Sequence, residues 1–171
     1  MQLVSRRNAD LRLTFRFERD RFVHAIERRT ADRWEPLWTS REGDDSQDWP
    51  ASPALQEIAP HESPDGAVLL GVGKAGRSHW SIVFETPVEG ADFRFDVACR
   101  IGAAVGPLGS SYDATGSGTV GNWSVEAIGD RTHGSSEASS RSDASGWTCD
   151  ASSLAAPGRT VRWVYRWSES A

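Results

Sequence analysis

The stretch Phe93-Arg94-Phe95-Asp96-Val97-Ala98-Cys99-Arg100-Ile101 decides the fold class. Apolar residues take every odd position, and charged residues or alanine take the even ones. Successive side chains of an extended strand point to opposite faces, so this segment buries one face and wets the other. The same period recurs where Leu11, Leu13, Phe15 and Phe17 alternate with Arg12, Thr14, Arg16 and Glu18. A third instance sets Val161, Trp163, Tyr165 and Trp167 against Arg162, Val164 and Arg166. After the first of these strands in the chain, Arg19-Asp20-Arg21 supplies a turn, and 22–27 reads as the return strand of a hairpin.

Working outward, weaker alternation marks strands over 33–39, 67–72, 79–86, 120–128 and 147–152. The run Ala67-Val68-Leu69-Leu70 is apolar on both faces, which predicts a central strand covered on two sides. Only 52–59, with Pro53 near its start and Glu57 inside, suits a turn or two of helix. The reading is an all-β chain, an antiparallel β-sandwich or barrel of about eight or nine strands with at most one short helix.

A chain of 171 residues, 38% apolar, is long enough for one core, so 1–171 reads as a single β domain with 1–10 and 169–171 as flexible ends. The net charge of −5 argues against a protein that coats nucleic acid. Lys74 is the only lysine, and eight tryptophans stand against one methionine, a bias that a GC-rich coding sequence produces without functional cause. The opening MQLVSRRNADLRLTFRF has no apolar run of the length a secretory signal needs, and no later segment approaches the roughly 20 apolar residues of a membrane helix. The expectation is a soluble, cytoplasmic chain with no membrane partner, in which Cys99 and Cys149 remain buried free thiols.

Familiar chemical signatures fail one by one. Gly71-Val72-Gly73-Lys74-Ala75-Gly76 matches G-x-G-x-x-G, but a strand pattern follows where a dinucleotide site needs a helix, so it reads as a glycine-rich hairpin turn. Neither G-x-S-x-G nor a phosphate loop is present. His24, His61, His79 and His133 are scattered, and Cys99 lies far from Cys149, so no metal site and no cofactor are expected. The acidic run from Glu42 to Asp48 lacks calcium-loop spacing and reads as a solvated loop. Asn122-Trp123-Ser124 is a formal glycosylation sequon, which carries no expectation without an export signal. Ser81, His79 and Asp96 sit on neighbouring strands but read as ordinary exposed residues. The outward arginines Arg12, Arg16, Arg94, Arg100, Arg162 and Arg166 read as one charge-laced face if their strands are neighbours.

What remains is aromatic content and loop placement. Trp80, Trp163 and Trp167 belong to apolar strand faces and are expected to fill the core. Trp49, beside Pro50 in the acidic connection, is either a platform for a sugar ring or a plug that pins the loop. Three long connections run over 40–65, 102–119 and 129–146; counting strand reversals puts the first and third at one end and the second at the other. The leading expectation is therefore a non-enzymatic module that binds a small molecule or carbohydrate at a loop-lined end, with Trp49, His61, Arg131 and His133 as the candidate ligand-binding residues. The alternatives are a carboxylate-dependent hydrolase or sugar-processing enzyme using Asp96 and Glu85, and a structural or oligomerisation module without a pocket.

Overall fold

A computed structural model describes residues 1–63, 66–102, 104–115, 121–126, 138–143 and 145–169. Two antiparallel sheets pack as an open sandwich, not a closed barrel. The first runs, edge to edge, β1 (Gln2–Val4), β2 (Leu11–Glu18), β3 (Arg21–Thr30), β4 (Arg33–Ser40), β9 (Gly109–Ala114), β12 (Gly146–Asp150), β11 (Ser139–Asp143). The second runs β10 (Asn122–Glu126), β13 (Thr160–Ser168), β8 (Phe93–Arg100), β7 (Ser78–Glu85), β6 (Gly66–Ala75), β5 (Glu57–Ser63).

The chain lays down β1 to β4 in one sheet and β5 to β8 in the other, then changes sheet repeatedly. The β4–β5 and β8–β9 connections each carry the chain from one sheet to the other. Packed sheets stand about 10 Å apart, so such a crossing cannot be made by a two-residue turn. The length of these segments therefore follows from topology.

The three one-sided strands keep their pattern. Leu11, Leu13 and Phe15 on β2, Phe93, Phe95, Val97 and Cys99 on β8, and Val161, Trp163, Tyr165 and Trp167 on β13 are all buried in the common core. Rings lock that core: Phe95 stacks on Tyr165 at 4.7 Å and 9°, and Trp123 on Trp147 at 4.2 Å and 11°. Trp80, Trp163 and Trp167 are buried in it as expected. Cys99 and Cys149 are free, and burial pushes both thiols up to about 12.

Several local expectations are corrected. No helix forms over 52–59; the Leu55 carbonyl accepts from the Phe22 amide (2.8 Å), the Gln56 amide donates to the Val72 carbonyl (2.9 Å), and β5 begins at Glu57. These bonds to both sheets outcompete a local helix. The segment 1–10 is not a loose end: β1 pairs with β2, and Ser5 and Asn8 bond to Asp92 (2.9 Å) and Glu169 (2.6 Å). The run 67–70 lies on β6, one strand from the sheet edge, with Leu69 buried and Val68 and Leu70 half-buried, so only one face is closed. Strands β1, β5, β9 and β11 lie outside the alternation seen in the sequence. β11 is exposed along its whole length, and an edge strand with no buried face leaves no period-two trace.

In Gly71-Val72-Gly73-Lys74-Ala75-Gly76 only Gly76, at φ +53°, belongs to the hairpin turn; the other two glycines lie inside β6. A Cβ on Gly73 would stand 2.1 Å from the Ala54 carbonyl oxygen and 2.8 Å from the Gln56 amide nitrogen. Gly73 is thus where the incoming β4–β5 connection crosses the strand.

One chain of polar groups runs through the apolar interior. His24 Nε2 lies 2.6 Å from the Tyr112 hydroxyl, which lies 2.9 Å from the Tyr165 hydroxyl. On its other side, His24 Nδ1 faces Glu42 Oε1 at 3.6 Å, and the Ser40 hydroxyl donates to that same oxygen. Glu42 has therefore left the solvated acidic loop for the core, where burial pushes its carboxyl up to about 8. Burial likewise pushes the His24 imidazole down to about 3. The sequence offered a sign of His24: it shares the inward row with Phe22 and Ile26.

Candidate functional site

β9, β12 and β11 lie side by side, and their registers align two rows of residues on the outer face. Arg141 stands opposite Thr148, and Thr148 opposite Ser111; next to them Ser139 stands opposite Asp150, and Asp150 opposite Gly109. The inward residues of β9 and β12, Tyr112, Trp147 and Cys149, belong to the core, which fixes the other parity as outward.

Two connections wall this face. Beyond the end of β4 the chain runs along β9, where the Ser111 carbonyl accepts from the Arg41 amide (2.8 Å) and the Ser52 hydroxyl (3.0 Å), while the Ser111 amide donates to the Ser52 hydroxyl (3.0 Å). On the other side Leu108 is tied to the end of β12: its carbonyl accepts from the Ala151 amide (2.8 Å) and its amide donates to the Ser152 hydroxyl (3.0 Å).

The result is a groove of about 340 Å³. Five hydroxyl residues line it, Ser111, Ser139, Ser140, Thr148 and Ser152, together with Arg141 and Asp150 and an apolar rim from Pro50, Pro107 and Leu108. The Ser152 hydroxyl and amide both bond the Asp150 carboxyl and hold it below the usual carboxylate range, with the Arg141 charge adding to the effect. Asp150 is thus an ionised acceptor near neutrality, set beside the cationic donor of Arg141.

The expected site residues are distributed differently. Trp49 is half-buried, its indole edge-on to Trp80 with centroids 6.4 Å apart, and a Cβ on Gly106 would lie 2.2 Å from its ring. It wedges the first long connection against the second, and its neighbours Pro50 and Ala51 line the groove. His61 is exposed on β5 opposite Val68, whereas Trp80 stands opposite Gly73, five residues further along β6 and so roughly 16 Å away. The register does not bring His61 and Trp49 together. Arg131 and His133 lie outside the described residues.

The placement of the long connections is corrected in one respect. The first connection, at Pro50, and the third, at Ser139 where β11 begins within it, do meet at one end, but the second arrives there too, at Pro107. The segment 102–119 contains β9, a full strand that returns the chain to the opposite end; its hydroxyl residues hide it from a reading of side-chain period.

The other constellations resolve into structure. Asp96, though buried, is held below the usual carboxylate range because bonds and charges from Arg162 and Arg94 outweigh the effect of burial. Arg94 also bonds Glu85 at 2.5 Å, so this carboxylate pair is neutralised by guanidinium groups. Ser81 pairs with Ala98 and Asp96 with Val83, which puts Asp96 out of line with His79 and Ser81. The arginine stripe is divided, since β2 belongs to one sheet and β8 and β13 to the other, and Arg12 binds Glu27 at 2.7 Å. No group of three or more metal-ligating side chains occurs among the described residues.

Fold and site together define an open antiparallel β-sandwich carrying a hydroxyl-lined groove at one end. No family model, curated protein or solved structure matches the chain.

Proposed function

We propose that the chain is a non-enzymatic binding module for a carbohydrate or a similarly hydroxylated small molecule, seated in the groove over β9, β12 and β11. The observation that carries this is the lining itself: five hydroxyl residues, one fixed carboxylate and one guanidinium beside an apolar rim. Polyols are bound by convergent donors and acceptors of this kind, and about 340 Å³ lies within the range of small-ligand sites. Trp49 supports the reading by holding the two walls together. The two buried free thiols favour a reducing compartment such as the cytoplasm.

Titration with a panel of mono- and oligosaccharides, followed by tryptophan fluorescence and calorimetry, tests this. A saturable response is expected, weakened about tenfold or more by Arg141→Ala or Asp150→Asn, since each removes a charged hydrogen-bond partner. A panel without a binder, or a binder indifferent to both substitutions, overturns it.

A further inference from the structure

At the same end of the sandwich, on the outer face of the second sheet, two arginines lie close to a second recess. Many arginines on the strands are matched with carboxylates: Arg12 with Glu27, Arg29 with Asp10, Arg41 with Asp113, Arg94 with Glu85 and Asp96, Arg162 with Asp96. Arg77 and Arg100 form no ion pair among the described residues, although the chain has 24 acidic residues against 19 basic ones. Both are exposed.

The register places basic side chains in one row with Arg100. Lys74 on β6 pairs with His79 on β7, which pairs with Arg100 on β8, a row spanning roughly 10 Å at the usual strand spacing. Arg77 lies in the turn between β6 and β7, and a Cβ on Gly102 would stand 2.8 Å from its carbonyl oxygen, so turn and strand end are in close contact. Acids do lie nearby: Asp48 is against Gly76, and Asp20, Asp45 and Glu57 line a cleft with Lys74 and His79, but none of them forms an ion pair with Arg77 or Arg100. An anion seated here would gain the attraction of the two guanidinium groups that no carboxylate pairs.

The space for one is present. Arg77, His79 and Arg100 line a recess of about 820 Å³ with Ile101, Gly102, Pro157 and Gly158. Its far wall, the β12–β13 connection, is fixed by the Ile101 amide donating to the Arg159 carbonyl (2.8 Å) and the Gly158 amide to the Gly102 carbonyl (3.3 Å). Arg77, His79 and Arg100 thus line one side of an open recess whose other wall is fixed.

We propose that this recess is a second binding site, for the phosphate or sulfate group of a small molecule. Two guanidinium groups present paired N–H donors that match the oxygens of a tetrahedral oxyanion, and His79 adds a third donor. The recess is larger than one oxyanion, which leaves room for an ester substituent. It shares no lining residue with the hydroxyl-lined groove, so it stands or falls separately.

The test is a titration of the full chain with inorganic phosphate, sulfate, glucose 6-phosphate and glucose at constant ionic strength, followed by amide NMR shifts and calorimetry. Saturable binding of the oxyanions is expected, with shifts concentrated at residues 77–79, 100–102 and 158. The Arg77→Ala/Arg100→Ala double variant should bind at least about tenfold more weakly, while Arg12→Ala, on the other sheet and paired with Glu27, should bind as the parent does. Thermal melts of each variant establish that the fold is kept. Tighter binding of the sugar ester than of free phosphate identifies an ester ligand, and equal affinity identifies the free ion. A non-saturating response, or undiminished binding in the double variant, overturns the proposal.

Discussion

The melting temperature is expected to be highest between about pH 4.5 and 6.5 and to fall as pH rises to 8, and Glu42→Gln is expected to abolish the alkaline part of that fall. Burial raises the Glu42 carboxyl from 4.5 to about 8. Between those values the unfolded chain has released a proton that the fold retains, so stability is present at low pH and is lost as pH climbs through the folded value. His24 works in the other sense. Burial lowers it from 6.5 to about 3, so between those values the unfolded chain takes up a proton that the fold refuses, and stability is lost as pH drops.

Where the two intervals overlap, from 4.5 to 6.5, the slopes cancel, because the facing pair then shares a single proton. Among the described residues with a resolved shift, Glu42 is the one still exchanging above 6.5, since the buried Cys99 and Cys149 thiols titrate in the unfolded chain near 9. The loss from pH 6.5 to 8 is of order 2 kcal/mol, at about 1.4 kcal/mol per unit, which is roughly 4–8 °C for a chain of this size. Glutamine keeps an oxygen for the Ser40 hydroxyl and carries no titrating proton. Melts at pH 6.5 and 8 decide the matter: a parent protein with equal values at both, or a glutamine variant that declines as steeply as the parent, contradicts the account.

Gly73→Ala is expected to be among the most damaging single-methyl additions in the chain. The new Cβ would stand 2.1 Å from the Ala54 carbonyl oxygen and 2.8 Å from the Gln56 amide nitrogen, and both are backbone atoms with no rotamer to escape into. Relief requires moving the β4–β5 connection, whose Leu55 carbonyl and Gln56 amide bond to β3 and β6. A cost of about 3 kcal/mol, or roughly 6–12 °C in melting temperature, follows from overpacking of this kind. Because the same connection carries Trp49 and Pro50 to the groove, saccharide binding should weaken with it. Gly90→Ala is the comparison: nothing lies within 4 Å of its Cβ, and only the left-handed backbone at φ +81° opposes it, so about 1 kcal/mol is expected. Equal melting temperatures for the two variants would show that the crossing at Gly73 is not close-packed.

The sequence by itself determined the all-β class, because that class is written in side-chain period. Phe93 to Ile101, Leu11 to Phe17 and Val161 to Trp167 each carry one apolar face, and one apolar face per strand requires a second layer to cover it. It also determined that Trp80, Trp163 and Trp167 belong to the core. Strands without such a face were illegible: β9 buries Ser110, which accepts from the Trp163 indole N–H at 3.3 Å, and β11 buries nothing.

Only the tertiary structure decided sandwich against barrel, since closure depends on which strands pair across long sequence separations. It also decided the site. The groove joins Pro50, Pro107, Ser139 and Asp150, four positions spread over 101 residues, through the registers of β9, β12 and β11. Serines and a lone arginine read as loop in one dimension; two ladders of backbone hydrogen bonds turn them into a lined surface. The recess at Arg77 and Arg100 has the same origin. Residues 23 apart carry no local signal, and their charges matter together only because the β7–β8 pairing brings Arg100 and the turn at Arg77 to one recess.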